Sequence, residues 1–184
     1  MRSAMRYYFS PGRILTQAMT KTIFISIILF GFMFSSSLAA DPFAVLHEER
    51  IGTLRIGLSE REVKKTIHCA LKRGPEELWG ADGAYHQRWE YADCGITLDM
   101  VSEGKGASKS IESISLVRSD ILSTKRGIRI GSTEQEVMKA YKSEWNREDS
   151  KQSGNFVAGS IYGGLMFHFE NGKVSRMFLG AAAE

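Results

Sequence analysis

Hydrophobic and polar positions along this chain form one pattern that occurs twice, at 54–63 and at 128–137. Each copy ends an extended segment at a glycine and continues into an acidic stretch that begins with a hydroxyl side chain. Ser59 and Glu62 have the spacing of a capping box, in which each side chain bonds the other residue's backbone N–H. Each copy therefore predicts the start of a helix. The part of the chain from about residue 50 onward is predicted to consist of two copies of one unit, each opened by this pattern.

Apolar residues continue at helical spacing after both starts, which predicts helices over about 60–72 and 134–144. Both helices are amphipathic, so each needs a surface to cover. The glycine before each start leaves an alternative, anion binding at the free backbone N–H groups of Gly57 and Gly131. A capping box occupies such donors, so the pattern favours the structural interpretation.

The strands are predicted from alternation and turn residues. Gly74 and Pro75 are expected to end the first helix, and 76–83 is expected to be a loop. Three strands follow each helix, and Asn171-Gly172 favours a tight hairpin. The predicted strands are 85–91, 95–101, 111–117, 156–162, 164–169 and 174–179. The expected fold class is α+β, with two tandem units (about 50–118 and 124–181) that each contain a helix and a three-stranded antiparallel meander, the helices packed on one face of a shared sheet.

The order Gly, one residue, Ser or Thr, two residues, Glu-Val, followed by a helix and a meander, resembles a known repeat. It is similar to the repeat of beta-lactamase-inhibitor-protein-like domains, a group that includes the small outer-membrane-assembly lipoproteins of the SmpA/OmlA family. The resemblance covers about residues 50–180. It implies two helices on one face of a continuous sheet, whose other, concave face often meets a partner protein.

The N-terminal segment 1–39 is expected to be a signal peptide. Lys21 precedes an uncharged run over 22–34, and Ser37-Leu38-Ala39 supplies the small residues of a cleavage site. Cleavage after Ala39 or Ala40 leaves 40–184 as a single domain in the periplasm or outside the cell. An uncleaved anchor is the alternative, although the apolar run is short for a spanning helix.

Removal of the leader changes the charge balance. Residues 1–39 contain four basic residues and no acidic ones, so the mature chain keeps 20 of the 24 basic residues against 21 acidic residues, a net charge of about −1. The basic balance of the precursor belongs to export and does not indicate nucleic-acid binding. We expect neither a nucleic-acid partner nor stable membrane insertion after cleavage.

Both cysteines lie in the first unit, and two cysteines of an exported protein most often pair. We therefore expect a disulfide between Cys69 and Cys94 that joins the first helix to the sheet. The alternative is a metal site that uses both cysteines with His68 and His86. That set lacks the close paired spacing of zinc sites, so the prediction is that the chain has no metal site and no cofactor.

No catalytic motif is present. The histidines are scattered, the serines near glycines have no nucleophile-elbow context, and no carboxylate pair is fixed by spacing. The prediction is therefore that the protein is not an enzyme and has no catalytic residues.

The best candidates for binding are aromatic. We predict that Trp79, Tyr85, Gln87 and Trp89 bind a partner, because aromatic side chains dominate binding hot spots. Residues 85, 87 and 89 share one strand face. The alternative is that this face is the core under the helices.

A comparison of the two units favours the binding interpretation for part of this set. Trp89 aligns with Ser160, and Gln87 with Ala158, so these positions are not uniformly large and apolar. The predicted function is non-catalytic binding of another protein, as an inhibitor, immunity factor or envelope accessory. The alternatives are a binder of a small ligand or cell-wall fragment and, least favoured, an envelope hydrolase.

Overall fold

The structure is a computed structural model that describes residues 41, 43–119, 121–151 and 154–182. The predicted signal peptide lies outside the described residues. The fold is α+β. The helices are α1 (Ala44–Glu48), α2 (Glu60–Thr66) and α3 (Glu134–Tyr141), and the strands are β1 (Lys72–Leu78), β2 (Tyr85–Tyr91), β3 (Ile96–Ser102), β4 (Ser110–Leu116), β5 (Asn155–Ser160), β6 (Gly163–Glu170) and β7 (Lys173–Gly180).

All seven strands belong to one antiparallel sheet with the order β1-β2-β3-β4-β7-β6-β5. The pairing of β4 with β7, for example Ser115 opposite Phe178, joins the first half of the chain to the second. Asn171 and Gly172 form the β6–β7 turn with φ values of 53° and 72°. This confirms the predicted tight hairpin, because a two-residue turn of this kind needs positive φ at both positions.

Both predicted capping boxes are present. The Ser59 hydroxyl accepts from the Glu62 backbone N–H, and Thr133 and Glu136 repeat the arrangement at the start of α3. The Ser59 hydroxyl and backbone N–H both donate to the Glu62 carboxylate, and these bonds lower the pKa of Glu62. In the second box the bond from the Thr133 backbone N–H is the main cause that lowers the pKa of Glu136.

The glycines before the helices are fastened to the sheet in the same way. The Gly57 N–H donates to the Ile111 carbonyl, and the Gly131 N–H donates to the Val174 carbonyl, each at 2.8 Å. Both glycines have positive φ, 77° and 88°, which other residues adopt at a cost. The backbone N–H of each glycine is therefore hydrogen-bonded within the fold, and neither N–H is free to bind an anion.

The helix predicted over 60–72 is α2, and it is shorter than predicted. The strand that follows it, β1, was not predicted. α2 ends at Thr66, and the stretch expected to end the helix and form a loop is the edge strand β1. Its register with β2 shifts between Arg73 and Glu76, around Gly74-Pro75. An edge strand tolerates proline because one row of its backbone groups has no strand partner. Its side chains are mostly exposed, so it carries no hydrophobic alternation, and the first half contributes four strands rather than three.

The core lies between the helices and one face of the sheet. Val63 of α2 and Val137 and Tyr141 of α3 are fully buried there. The strand residues that alternate toward them include Trp89, Leu98, Ile114, Leu165, Phe167, Met177 and Leu179.

A buried carboxylate holds the start of the domain to the core. Glu49, 4% exposed, follows α1 and accepts from the Tyr141 hydroxyl and from the Lys125 backbone N–H, each at 2.7 Å. Burial is the main cause that raises the pKa of Tyr141, so this tyrosine stays protonated and donates. Because all of these groups are partnered inside the fold, we assign Glu49 a structural role.

Candidate functional site

The sheet face opposite the core forms a groove of about 950 Å³. Strand alternation places every second strand residue on this face. The side chains that line the groove include Trp79, Arg88, Ser115, Met166, Arg176 and Phe178. The paired residues Met166, Phe178, Ser115 and Thr97 run across β6, β7, β4 and β3 in one row. The groove thus crosses the junction between the two halves of the sheet.

The groove floor is apolar on the β5–β6–β7 side. Met166 and Phe178 are cross-strand neighbours, and both remain partly exposed although they lie in the middle of a sheet. The next row toward the far end of the strands contains Gly164 opposite Gly180. A Cβ at Gly180 would approach the Ser113 Cβ to 2.7 Å, so a larger residue does not fit beside β4 here. Met166 and Phe178 are therefore the apolar contacts that this half of the floor offers.

Two arginines carry the exposed positive charge of the groove. Arg88 lies on β2 and Arg176 on β7, and both are exposed. Neither forms an ion pair within the part of the chain that the structure describes. Three strand spacings separate β2 from β7 in the sheet order, roughly 14 Å across the sheet. A molecule that contacts both arginines must therefore be longer than a single amino acid.

A histidine surrounded by carboxylates lies at the β2 end of the groove. His86 is 3% exposed. Its Nε2 is 2.9 Å from Asp82 Oδ2, and its Nδ1 is 3.0 Å from Glu112 Oε2 and 3.3 Å from Asp99 Oδ2. The Trp79 ring stacks on the imidazole at 3.7 Å between centroids. We call His86, Asp82, Asp99 and Glu112 the His86 cluster.

The cluster favours a positive charge on the imidazole. Burial lowers the pKa of His86, but hydrogen bonds to Asp82 and Asp99 and the charge of Glu112 outweigh this effect, so its pKa is raised. The Ala84 backbone N–H and then His86 lower the pKa of Asp82, which stays ionised. Glu112 reaches the histidine because it is the extra residue of a bulge, where Ile111 and Ser113 pair with consecutive residues of β3.

The predicted binding residues do not form one exposed surface. Trp89 is 1% exposed, so it belongs to the core and has no surface to offer a partner. The Arg73 guanidinium lies 4.5 Å from the centre of the Trp89 ring. The Trp89 Nε1–H donates to Gln87 Oε1 at 2.9 Å. Gln87 in turn donates to the Gly74 carbonyl. Tyr85 is half-buried and shares this helix-facing side. Only Trp79 of the four lines the groove.

Cys69 and Cys94 are paired as a disulfide, with their Cα atoms 6.2 Å apart. The bridge joins the segment after α2 to the turn before β3. Both sulfurs are therefore used, and His86 lies in a different cluster, so the alternative to the disulfide, a metal site of Cys69, Cys94, His68 and His86, is not assembled.

The alternation in the sequence placed Arg88 on the strand face opposite Trp89, but it did not single out Met166, Arg176 or Phe178. Those three residues alternate with buried ones in their strands, which is typical of a solvated face. The His86 cluster joins a loop and three strands, and its Glu112 is placed by a bulge. The sequence contained one signal of this cluster: Asp82 and His86 are four residues apart, with a glycine turn between them.

Comparison of the chain with protein-family models, with curated proteins and with solved structures finds no match. The resemblance to the inhibitor-protein-like repeat therefore remains a prediction. No helix among the described ranges is long and apolar enough to cross a membrane. The disulfide is compatible with a periplasmic or extracellular location.

Proposed function

We propose that this protein is an exported, non-catalytic binding module whose groove receives a segment of another protein. The observation that carries the proposal is the pair Arg88 and Arg176, exposed on either side of a partly apolar sheet face with no ion pair among the described residues. Unpaired arginines and exposed aromatic area are typical of binding surfaces. This assigns partner contact to the groove face rather than to the face that holds Trp89.

The chemistry of the groove favours a partner segment that carries carboxylates and at least one large apolar side chain. Arginine binds carboxylates in a two-pronged geometry, and Phe178 with Met166 offers an apolar contact between the two charges. Glu77 lines the groove near Trp79, so we expect the partner's acidic groups nearer Arg176 and the centre of the sheet. The distance across the strands fits an extended or helical peptide segment.

We also propose that the two halves are tandem copies of one unit. The support is a set of equivalent backbone bonds. The Glu60 N–H donates to the Lys109 carbonyl and the Glu134 N–H to the Gly172 carbonyl, and Ser59 and Thr133 form matching bridges to the residue that opens β4 or β7. A repeat that pairs through its last strands builds one continuous sheet, which is the arrangement that the inhibitor-like resemblance implies.

Charge reversal at both arginines is expected to abolish partner capture. The Arg88→Glu, Arg176→Glu protein should lose a partner that the unmodified protein captures from periplasmic extract, because each arginine would become a repulsive charge toward the partner's carboxylates. We expect a loss of at least about tenfold in recovery, corresponding to roughly 1.4 kcal/mol. The measurement is quantitative mass spectrometry of the captured proteins, with circular dichroism to establish folding.

The matched control carries the same change in charge on the helix side of the molecule. Arg61 of α2 and Lys139 of α3 are both exposed, and the Arg61→Glu, Lys139→Glu protein should keep the partner. Equal loss in both proteins would show a general charge effect and contradict the proposal. Retention after reversal of the groove arginines would also contradict it.

A small ligand is the second candidate, and one observation favours it. The groove volume of about 950 Å³ lies within the range of small-molecule sites. A thermal shift with peptidoglycan fragments, lost in the Arg88→Glu, Arg176→Glu protein, would support this alternative. A partner protein captured in a groove-dependent way, with no such thermal shift, supports the protein-binding proposal.

A further inference from the structure

The His86 cluster brings three carboxylates around one buried imidazole. Three carboxylates, those of Asp82, Asp99 and Glu112, contact the two nitrogens of one buried imidazole. A neutral imidazole has one N–H, so it can donate toward one side only. Arg88 pairs with Asp99 across the strands but forms no ion pair with it.

The donor atoms are close enough together to share an ion. Ligand atoms of Asp82, His86 and Glu112 all lie within 4.8 Å of one another. An ion with bonds of about 2.0–2.2 Å holds its ligand atoms roughly 3–4 Å apart. Asp82 already contacts Nε2, and Glu112, which contacts Nδ1, would have to shift toward the same nitrogen to complete the site. Asp82 and Glu112 are 42% and 40% exposed in their side chains, which leaves an entry path and freedom for this shift.

We propose that Asp82, His86 and Glu112 bind a divalent transition-metal ion of the zinc class. Nε2, which faces Asp82, would coordinate the ion in place of its proton. Nδ1 would keep its N–H and donate to Asp99, which is how metal-binding histidines are usually oriented. The mixed nitrogen and carboxylate donor set favours zinc over magnesium or calcium, which prefer oxygen ligands alone.

Two local features support the assignment. Glu112 is aimed at His86 by the β-bulge in β4, and bulges are over-represented beside functional sites, where they re-aim a side chain. The β1–β2 loop is also closed over the cluster. Trp79 and Ala84 bond across it at 2.9 Å, and the Ala84 N–H holds the Asp82 carboxylate.

The direct test is isothermal titration calorimetry with zinc chloride, using protein purified from cells that express the full chain and then treated with a chelator. We expect one zinc ion per chain and no comparable heat with magnesium chloride. Glu112→Gln and Asp82→Asn should each weaken zinc binding at least about tenfold, as loss of a metal-orienting group does. Trp79 fluorescence should change on zinc addition, because its ring stacks on the ligand His86.

His168→Gln is the matched control. His168 also lies in the groove, with Nδ1 2.7 Å from Asn155 Oδ1 and Glu170 4.0 Å away, but it has no cluster of carboxylates. His86→Gln should abolish binding, and the two carboxylate variants keep the test decisive if that protein does not fold. Absence of saturable binding in the unmodified protein, binding that survives Glu112→Gln and Asp82→Asn, or an equal loss in His168→Gln would overturn the proposal. The result is independent of whether the groove has a protein partner.

Discussion

Replacement of Trp89 by alanine is expected to lower the free energy of unfolding by about 3–5 kcal/mol, the usual cost of emptying a buried tryptophan site. Trp89 is 1% exposed, and it begins a row of buried side chains that continues through Leu98 and Ile114. The substitution also leaves the Gln87 carbonyl oxygen without the N–H that it accepts. The measurement is urea unfolding followed by circular dichroism.

The matched control is Leu78→Ala in the edge strand β1. Leu78 is 59% exposed, so its removal should change stability by less than about 0.5 kcal/mol. A loss below about 1 kcal/mol for Trp89→Ala would contradict the assignment of this residue to the core and would return it to the list of binding candidates.

Removal of the disulfide is the second large effect. The double variant Cys69→Ser, Cys94→Ser is expected to lose about 3 kcal/mol of stability. The bridge closes a loop with a sequence separation of 25 residues, and an open loop of this size gives the unfolded chain more conformational freedom. Urea unfolding of the variant, compared with the unmodified protein before and after reduction, measures the loss.

Reduction of the unmodified protein should lower its unfolding midpoint to nearly that of the double variant, and the same treatment should leave the variant itself unchanged. An unchanged midpoint after reduction, in protein shown by mass spectrometry to carry the bridge, would contradict a stabilising role for the disulfide.

The sequence predicted those parts of the fold that have local signals. Both capping boxes could be read from a hydroxyl residue and a glutamate three positions later, and the β6–β7 turn from Asn171-Gly172. The six alternating strands were placed within a few residues of their observed bounds. The strand β1 was missed because its sequence, rich in charge and containing Gly74-Pro75, has no apolar side to bury.

The site was not predictable in the same way, because it depends on which face the helices cover. The sequence comparison aligned Trp89 with Ser160, which favoured a variable, functional position. In the proposed repeat, Ile114 of β4 corresponds to Met177 of β7, and the residues opposite them, Leu98 and Phe167, correspond as well. The residue opposite Leu98 is Trp89 and the residue opposite Phe167 is Phe156, which is also buried. The sequence comparison was therefore four residues out of register, and the position of Trp89 is buried in both halves.

We propose that the groove face, and not the helix face, meets the partner. The most direct measurement is photo-cross-linking in cells that express the full chain, with a benzophenone amino acid placed at Ser115 in the middle of the groove or at the exposed Gln135 of α3. We expect one adduct from position 115 and none from position 135, with an acidic segment of the partner at the cross-link. An adduct from position 135 alone, or equal adducts from both positions, would contradict it.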